Sequence, residues 1–178
     1  MKENIVLIGF MGSGKTTIGR ALAAQLGWSF VDTDDLITQL AGKDIPAIFE
    51  REGEEAFRRW EERAIAKAVA GRNQVIATGG GAYMGEANRR VLKERGWVFW
   101  LRVPGSILWR RLRASSVERP LLAVADPQGE IERLLKLREP YYAQADVTID
   151  AGGRVEEVVA AIYHQWQGLE DKRGKGKR

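Results

Sequence analysis

The sequence predicts an α/β protein in which helices cover both faces of a parallel sheet. Short apolar segments alternate with helical patterns along the 178 residues, and several of these segments are continuously apolar. Strands that are buried on both faces of a sheet have this composition. In such folds ligands bind at the carboxyl ends of the strands. The motifs at 9–16, 32–34 and 79–81 each directly follow a predicted strand, which predicts a single site at one edge of the sheet.

Five strands and the helices between them can be assigned in order. The strands are predicted at residues 5–8, 29–31, 75–77, 97–101 and 147–149. The helices include one over 54–70, which Gly71 ends, and a final one with an apolar face through Val155 and Ile162. Residues 115–126 lack clear periodicity, which predicts a loop or lid.

The most specific motif lies directly after the first strand. Residues 9–16 read Gly-Phe-Met-Gly-Ser-Gly-Lys-Thr and fit the phosphate-loop pattern G-x-x-x-x-G-K-[ST]. Glycines let the backbone approach an anion closely, and the exposed amides then surround a phosphate at the positive end of the next helix. Lys15 adds a charge for the β- and γ-phosphates, and the Thr16 hydroxyl is placed to bind Mg²⁺. We therefore expect this segment to bind a nucleoside triphosphate.

The composition is that of a globular protein, with 44% hydrophobic and 29% charged residues. The net charge of +4 arises mainly in residues 170–178, which carry five cations and two anions. We expect residues 1–168 to form one domain and residues 169–178 to form a basic, disordered tail. The absence of cysteine excludes a disulfide framework and a cysteine nucleophile, and it fits a cytoplasmic location. No apolar run is long enough to predict a membrane span.

Two carboxylates follow the second predicted strand. Asp32 and Asp34 are separated by one residue, so in an extended chain they project to the same side. One can then serve Mg²⁺ while the other faces an acceptor hydroxyl. The same spacing occurs in aspartate-rich turns and helix caps, so the residues alone leave both interpretations open.

Arginines and glycines elsewhere offer groups for a substrate that carries a carboxylate. Glu61 lies three residues beyond Arg58 on the same face of a predicted helix. It can orient the Arg58 guanidinium, which is planar and can bind a substrate carboxylate through two hydrogen bonds. A solvated ion pair has the same spacing, so both interpretations stay open. The triple glycine at 79–81 lets the backbone approach a ligand closely, or it forms a plain turn. Arg119 and Arg138 each lie close to a proline, and either alone could be surface charge.

Together these segments resemble the shikimate kinases, from about residue 4 to residue 167. The resemblance rests on the phosphate loop and on Asp32-Thr33-Asp34, Ile48-Phe49, Phe57-Arg58 with Glu61, Gly79-Gly80-Gly81, Arg119-Pro120-Leu121-Leu122 and Arg138-Glu139-Pro140-Tyr141-Tyr142. It implies a three-layer P-loop kinase fold of the nucleoside-monophosphate-kinase type, with a five-stranded parallel sheet. It also implies a monomer with a mobile lid at about 115–126 and a substrate-binding helical region at about 33–62.

The resemblance implies a role for each residue of the substrate site. Asp34 is expected to bind the ring hydroxyls of shikimate and to act as the base. Arg58 and Arg138 are expected to bind the carboxylate, with Glu61 orienting Arg58. Arg119 is expected to reach the transferring phosphoryl group from the lid. The other residues expected to line the pocket are Gly80, Gly81, Phe49 and Phe57.

The resemblance also implies the ATP and magnesium contacts. Mg²⁺ is expected on Thr16 directly and on Asp32 through water. The adenine is expected to pack between Arg111 and the segment around Arg154. The segment before Arg119 is one residue longer than the family pattern, so Arg110 is the alternative to Arg111. The remaining nucleotide contacts are expected from Gly12, Ser13, Gly14, Lys15, Thr16, Thr17 and Arg119.

The implied reaction is phosphorylation of the 3-hydroxyl of shikimate by ATP, on the route to chorismate and aromatic amino acids, with no nucleic-acid or membrane partner. A gluconate kinase of the same architecture is the alternative, because gluconate also carries a carboxylate and hydroxyls. A nucleotide-dependent switch protein would need the guanine-specificity motif N/T-K-x-D, which the sequence lacks. Nucleic-acid binding through the basic tail would predict a steep salt dependence of association.

Overall fold

The computed structural model of the chain describes residues 2–115 and 122–175. One parallel sheet has the strand order β2-β3-β1-β4-β5. Its strands are β1 (Asn4–Ile8), β2 (Ser29–Asp32), β3 (Gln74–Ala77), β4 (Gly96–Arg102) and β5 (Val147–Asp150). Each predicted strand is confirmed to within one residue at either end. Because β3 lies between β1 and β2, the segments that leave these three strands are neighbours, and all three carry predicted site residues.

Seven α-helices connect and cover the strands in the described part of the chain. They are α1 (Lys15–Leu26), α2 (Thr33–Ala41), α3 (Ile45–Ala70), α4 (Glu86–Arg95), α5 (Gly105–Ala114), α6 (Pro127–Tyr142) and α7 (Val155–Lys175). Gly53 interrupts α3 with φ of 81° and ψ of 176°, a conformation that favours glycine. This break is why the sequence predicts a separate helix from residue 54. None of the helices in residues 2–115 and 122–175 combines the length and apolar character that crossing a lipid bilayer requires.

The two faces of the sheet carry separate cores, which makes a three-layer structure. Ile5 and Leu7 pack in the core that includes α1 and α7. Val6 and Ile8 pack in the core that includes α3 and α4. This alternation follows from the twofold period of a strand, and it explains why a strand covered on both faces is apolar throughout. The site is therefore built on a rigid, fully buried strand.

The C-terminal region differs from its prediction. Residues 169–175 continue α7, so the expectation of a disordered tail is wrong for this part of it. The Trp97 indole Nε1 donates to Glu170 Oε1 at 2.6 Å, and Arg173 Nη1 donates to the backbone oxygen of Lys2 at 2.5 Å. These partners lie on β4 and at the start of the chain, so the local charge pattern could not reveal them. Residues 176–178 lie outside the described residues.

The predicted lid lies between α5 and α6. The helix α6 begins at Pro127, and the Asp126 carboxylate caps it by accepting a hydrogen bond from the Gly129 amide at 3.0 Å. Residues 116–121 lie outside the described residues, and Arg119 is among them. The lid and the role of Arg119 therefore stay predictions.

Candidate active site

The segment between β1 and α1 has the geometry of a phosphate-binding loop. Gly9, Gly12 and Gly14 have φ angles of 145°, 79° and 94°, which favour glycine. Gly14 is the N-cap of α1 and has no side chain to accept hydrogen bonds from the first-turn amides, so these amides can bind an anion. Lys15 Nζ lies across the loop, 2.7 Å from the Gly9 oxygen and 3.3 Å from the Oγ of buried Ser13. The loop therefore combines the first-turn amides of α1 with one ammonium group.

Thr16 and Asp32 meet where this loop faces the end of β2. Thr16 Oγ1 donates to Asp32 Oδ2 at 2.9 Å, and Asp32 Oδ1 accepts from the Asp34 amide at 3.0 Å. Thr17 follows on the exposed side of the first turn. Among the described residues, no three acidic, histidine or cysteine side chains cluster as a metal site. A hydroxyl beside a carboxylate nevertheless fits Mg²⁺, which usually takes only one or two protein oxygens together with phosphate oxygens.

The triple glycine at residues 79–81, here called the glycine segment, lies among the predicted substrate-binding side chains. A Cβ on the first glycine would lie 2.9 Å from Asp34 Oδ1. On the second it would lie 3.4 Å from Arg138 Nη1, and on the third 3.1 Å from Arg58 Nη1. None of the three has a positive φ, so the backbone conformation does not call for glycine here. A Cβ would instead crowd the ends of these side chains. The segment therefore brings an acidic group and two guanidinium groups to one place.

Arg138 is a buried cation with an unused donor. The residue is 9% exposed, and its Nη1 has no hydrogen-bond partner within residues 2–115 and 122–175. Its guanidinium lies 5.3 Å from the centre of the Phe10 ring. A buried donor that lacks an acceptor costs roughly 1–3 kcal/mol, and more when it is charged. An anionic group of a substrate would remove that cost, which makes Arg138 a strong candidate for binding a carboxylate.

Two carboxylates on α3 hold Arg58. Its Nη1 lies 3.0 Å from Glu61 Oε2, and its Nη2 lies 3.2 Å from Glu54 Oε1. The Glu61 side chain is 3% exposed, whereas that of Arg58 is 40% exposed. A fully solvated ion pair is therefore excluded. Burial raises the pKa of Glu61, the Arg58 guanidinium opposes that rise, and the Asp34 carboxylate adds to it.

Glu61→Gln should change how stability depends on pH. Because the folded pKa of Glu61 is raised, its contribution to stability is fully present below the unfolded pKa of 4.5 and is lost as pH rises through the folded pKa. The free energy of unfolding of the wild type minus that of the variant should therefore fall as pH rises from 4.5 toward neutrality. Urea unfolding across this range measures the difference. A difference that is constant or rises would contradict the expectation.

Glu55→Gln is the matched control for this measurement. Glu55 also pairs with an arginine on α3, Arg59 at 2.9 Å, but its side chain is 90% exposed. The control should leave the pH profile of unfolding unchanged, because the pair is solvated in both states.

Phe49 and Phe57 form an aromatic wall beside Arg58. Their ring centres are 4.6 Å apart, and the Arg58 guanidinium lies 5.3 Å from the Phe57 ring centre. Phe57 is buried in a small core between α2 and α3, whereas Phe49 is 42% exposed. An exposed ring supported by a buried one offers an apolar surface to the ring of a substrate.

Arg111, rather than Arg110, contacts the phosphate loop. Arg111 Nη1 donates to the Gly12 oxygen at 3.3 Å, and its Nη2 donates to the Ala151 oxygen at 3.1 Å. It therefore joins the phosphate loop to the segment after β5. Arg110 is exposed. Arg154 is 79% exposed and forms an ion pair at the start of α7.

Two residues of this site had no role in the sequence-based prediction. The Tyr142 hydroxyl donates to the Gly80 oxygen at 2.5 Å, and Thr33 Oγ1 accepts from the Gly79 amide at 3.1 Å. Tyr142 lies four residues after Arg138, one helical turn further along α6, which is the spacing that places two side chains on one helix face. Thr33 lies between the two aspartates. The sequence shows these spacings, but it does not show that the partners lie in the segment after β3.

The fold and the site together define a P-loop kinase. A family model for shikimate kinase matches residues 11–167. The shikimate kinase of Moorella thermoacetica is 49% identical over 160 residues, which are 90% of this chain and 91% of the relative. That of Symbiobacterium thermophilum is 48% identical over 167 residues, which are 92% of this chain and 96% of the relative. The chain belongs to the shikimate kinase family.

Solved structures confirm the predicted fold class. The shikimate kinase of Acinetobacter baumannii, solved in complex with shikimate, superposes with a TM-score of 0.89 at 38% identity and covers 95% of both chains. A gluconokinase of Sinorhizobium meliloti superposes with a TM-score of 0.63 at 18% identity, over 97% of this chain and 99% of its own. At that identity the second likeness shows a shared fold alone.

Proposed function

We propose that this chain transfers the γ-phosphoryl group of ATP to the 3-hydroxyl of shikimate, giving ADP and shikimate 3-phosphate. One observation carries the proposal, beyond membership of the family. The glycine segment has the Asp34 carboxylate against its first residue and the guanidinium groups of Arg138 and Arg58 against its second and third. A cyclic acid that bears a carboxylate and a reactive hydroxyl has the complementary groups.

Catalysis rests mainly on alignment and on charge stabilisation. Phosphoryl transfer passes through a loose transition state, in which negative charge is spread over the phosphoryl oxygens. Asp34 orients the acceptor hydroxyl and takes its proton as the oxygen bonds to phosphorus and the bond to ADP breaks. Lys15 and the amides of the phosphate loop stabilise the charge on the β- and γ-phosphate oxygens. Mg²⁺ would be held by Thr16 and, through water, by Asp32, and it would supply further positive charge to the phosphates.

Substrate and nucleotide occupy neighbouring parts of the site. Arg58 and Arg138 bind the shikimate carboxylate, while the backbone of the glycine segment and the aromatic wall of Phe49 and Phe57 enclose its ring. The nucleotide runs from the phosphate loop, including Ser13, Gly14 and Thr17, toward the adenine between Arg111 and Arg154. Arg119, to which the resemblance assigns further charge stabilisation from a lid at about 115–126, lies among residues 116–121, outside the described residues. We further propose a cytoplasmic monomer.

A panel of acceptors separates this function from gluconate phosphorylation. ADP release with shikimate, gluconate and the methyl ester of shikimate would be measured in a coupled assay. We expect shikimate to be the preferred acceptor, because the aromatic wall fits a ring and both arginines need a carboxylate. The ester should react with a much higher KM. A greater kcat/KM for gluconate than for shikimate would overturn the proposal.

A further inference from the structure

Two buried hydroxyl groups hold the glycine segment from opposite sides. Thr33 Oγ1 accepts a hydrogen bond from the Gly79 amide at 3.1 Å, and the Tyr142 hydroxyl donates to the Gly80 oxygen at 2.5 Å. Both Thr33 and Tyr142 are fully buried. Thr33 is the first residue of α2 and Tyr142 is the last of α6. Two distant parts of the chain therefore meet on consecutive residues of one short backbone segment.

Each hydroxyl is rigidly linked to a residue that we place on the substrate. Thr33 directly precedes Asp34, the group proposed to face the acceptor hydroxyl. Tyr142 lies one helical turn after Arg138, the buried cation proposed to bind the carboxylate. The two hydroxyls bond to adjacent residues of the glycine segment. The two hydrogen bonds therefore help to set the distance between Asp34 and Arg138.

The surroundings of Tyr142 keep its hydroxyl protonated and therefore able to donate. Burial raises the pKa of Tyr142, and the nearby Arg138 guanidinium opposes that rise. Loss of the hydroxyl would leave the part-buried Gly80 carbonyl without this donor, and a shift of the glycine segment could relieve that loss.

We propose that Thr33 and Tyr142 are positioning residues that fix the distance between the hydroxyl end and the carboxylate end of the acceptor pocket. The inference rests on the proposed function and deepens it. Thr33 sets the position of the glycine segment relative to Asp34, the proposed base, so its loss should lower kcat. Tyr142 sets the position of the glycine segment relative to Arg138, the proposed carboxylate-binding group, so its loss should raise the shikimate KM. Pre-organisation of this kind matters because small displacements of reacting groups lower the rate strongly.

The test uses variants that remove only the hydroxyl groups. Tyr142→Phe should raise the shikimate KM about 10-fold, with kcat and the ATP KM changed less than about 2-fold, since one buried hydrogen bond is lost on the carboxylate side. Thr33→Val should lower kcat about 10-fold and leave the ATP KM unchanged. In the double variant the loss in kcat/KM, expressed as a free energy, should differ from the sum of the two single losses, because both residues act on the same segment.

Two buried hydroxyls elsewhere provide matched controls. The Tyr83 hydroxyl lies 3.5 Å from the Gln144 oxygen, and Thr78 Oγ1 donates to the Leu7 oxygen at 3.2 Å. Neither hydroxyl bonds to the glycine segment. Tyr83→Phe and Thr78→Val should lower stability to urea but leave the kinetic constants within about 2-fold of the wild type. The contrast separates positioning from general loss of buried hydrogen bonds.

Thr33→Ser guards against a variant that simply fails to fold. It restores the hydroxyl at the same place and should recover the kcat of the wild type to within about 3-fold. If Thr33→Ser were as impaired as Thr33→Val, or if Thr33→Val and Tyr142→Phe behaved like the controls, the inference would be overturned. Wild-type protein that does not phosphorylate shikimate would instead defeat the proposed function, so the two failures are distinguishable.

Discussion

Asp34→Asn is expected to lower turnover with shikimate at least about 100-fold while ATP binding persists. The amide keeps the size of the carboxylate but cannot take the proton of the acceptor hydroxyl. The nucleotide contacts remain, because they lie on the phosphate loop. Steady-state kcat and calorimetric titration with ATP would measure the two effects separately.

Asp35→Asn is the control for this substitution. Asp35 follows on the same first turn of α2, but it is exposed to solvent. It should retain the turnover of the wild type. Near-normal turnover in Asp34→Asn would remove Asp34 from the chemistry and would leave the proposed base without support.

Arg138→Ala is expected to weaken shikimate binding by about 2–4 kcal/mol, because a desolvated carboxylate loses a bidentate, charge-assisted partner. Arg58→Ala should act in the same direction, and the smaller loss is expected there. Arg58 is 40% exposed, so water can replace it in part, whereas Arg138 is 9% exposed. The shikimate KM and the Kd from calorimetry measure both losses.

Arg133→Ala controls for the removal of positive charge from α6. Arg133 lies about 1.4 turns before Arg138 on α6, and its exposed side chain pairs with Glu130. It should leave the shikimate KM unchanged. Normal shikimate binding by both Arg58→Ala and Arg138→Ala would show that the substrate pocket is misplaced.

The sheet could be predicted because its signal is local. In β1 four consecutive apolar residues are needed, since Ile5 and Leu7 face one core and Val6 and Ile8 face the other. The end of α7 could not be predicted in the same way. The partners of Glu170 and Arg173 lie more than 70 residues away along the chain, and such contacts leave no periodic pattern.

Individual site residues could be predicted from the sequence only where they belong to a motif with a fixed spacing. The phosphate loop follows from its spacing, and its glycines have the positive φ angles that the motif requires. The glycine segment was predicted as a close approach or a turn, and the reason for it is the nearness of Asp34, Arg138 and Arg58. Spacing alone could not choose between Arg110 and Arg111, because the choice depends on which face α5 turns toward the loop.

A crystal structure with ADP, Mg²⁺ and shikimate would test the central claim most directly. We expect the 3-hydroxyl within about 3 Å of an Asp34 oxygen and the carboxylate on the guanidinium groups of Arg58 and Arg138. The β-phosphate should lie in the phosphate loop beside Lys15. Shikimate bound away from the glycine segment, with its hydroxyl remote from the nucleotide, would contradict the proposed site.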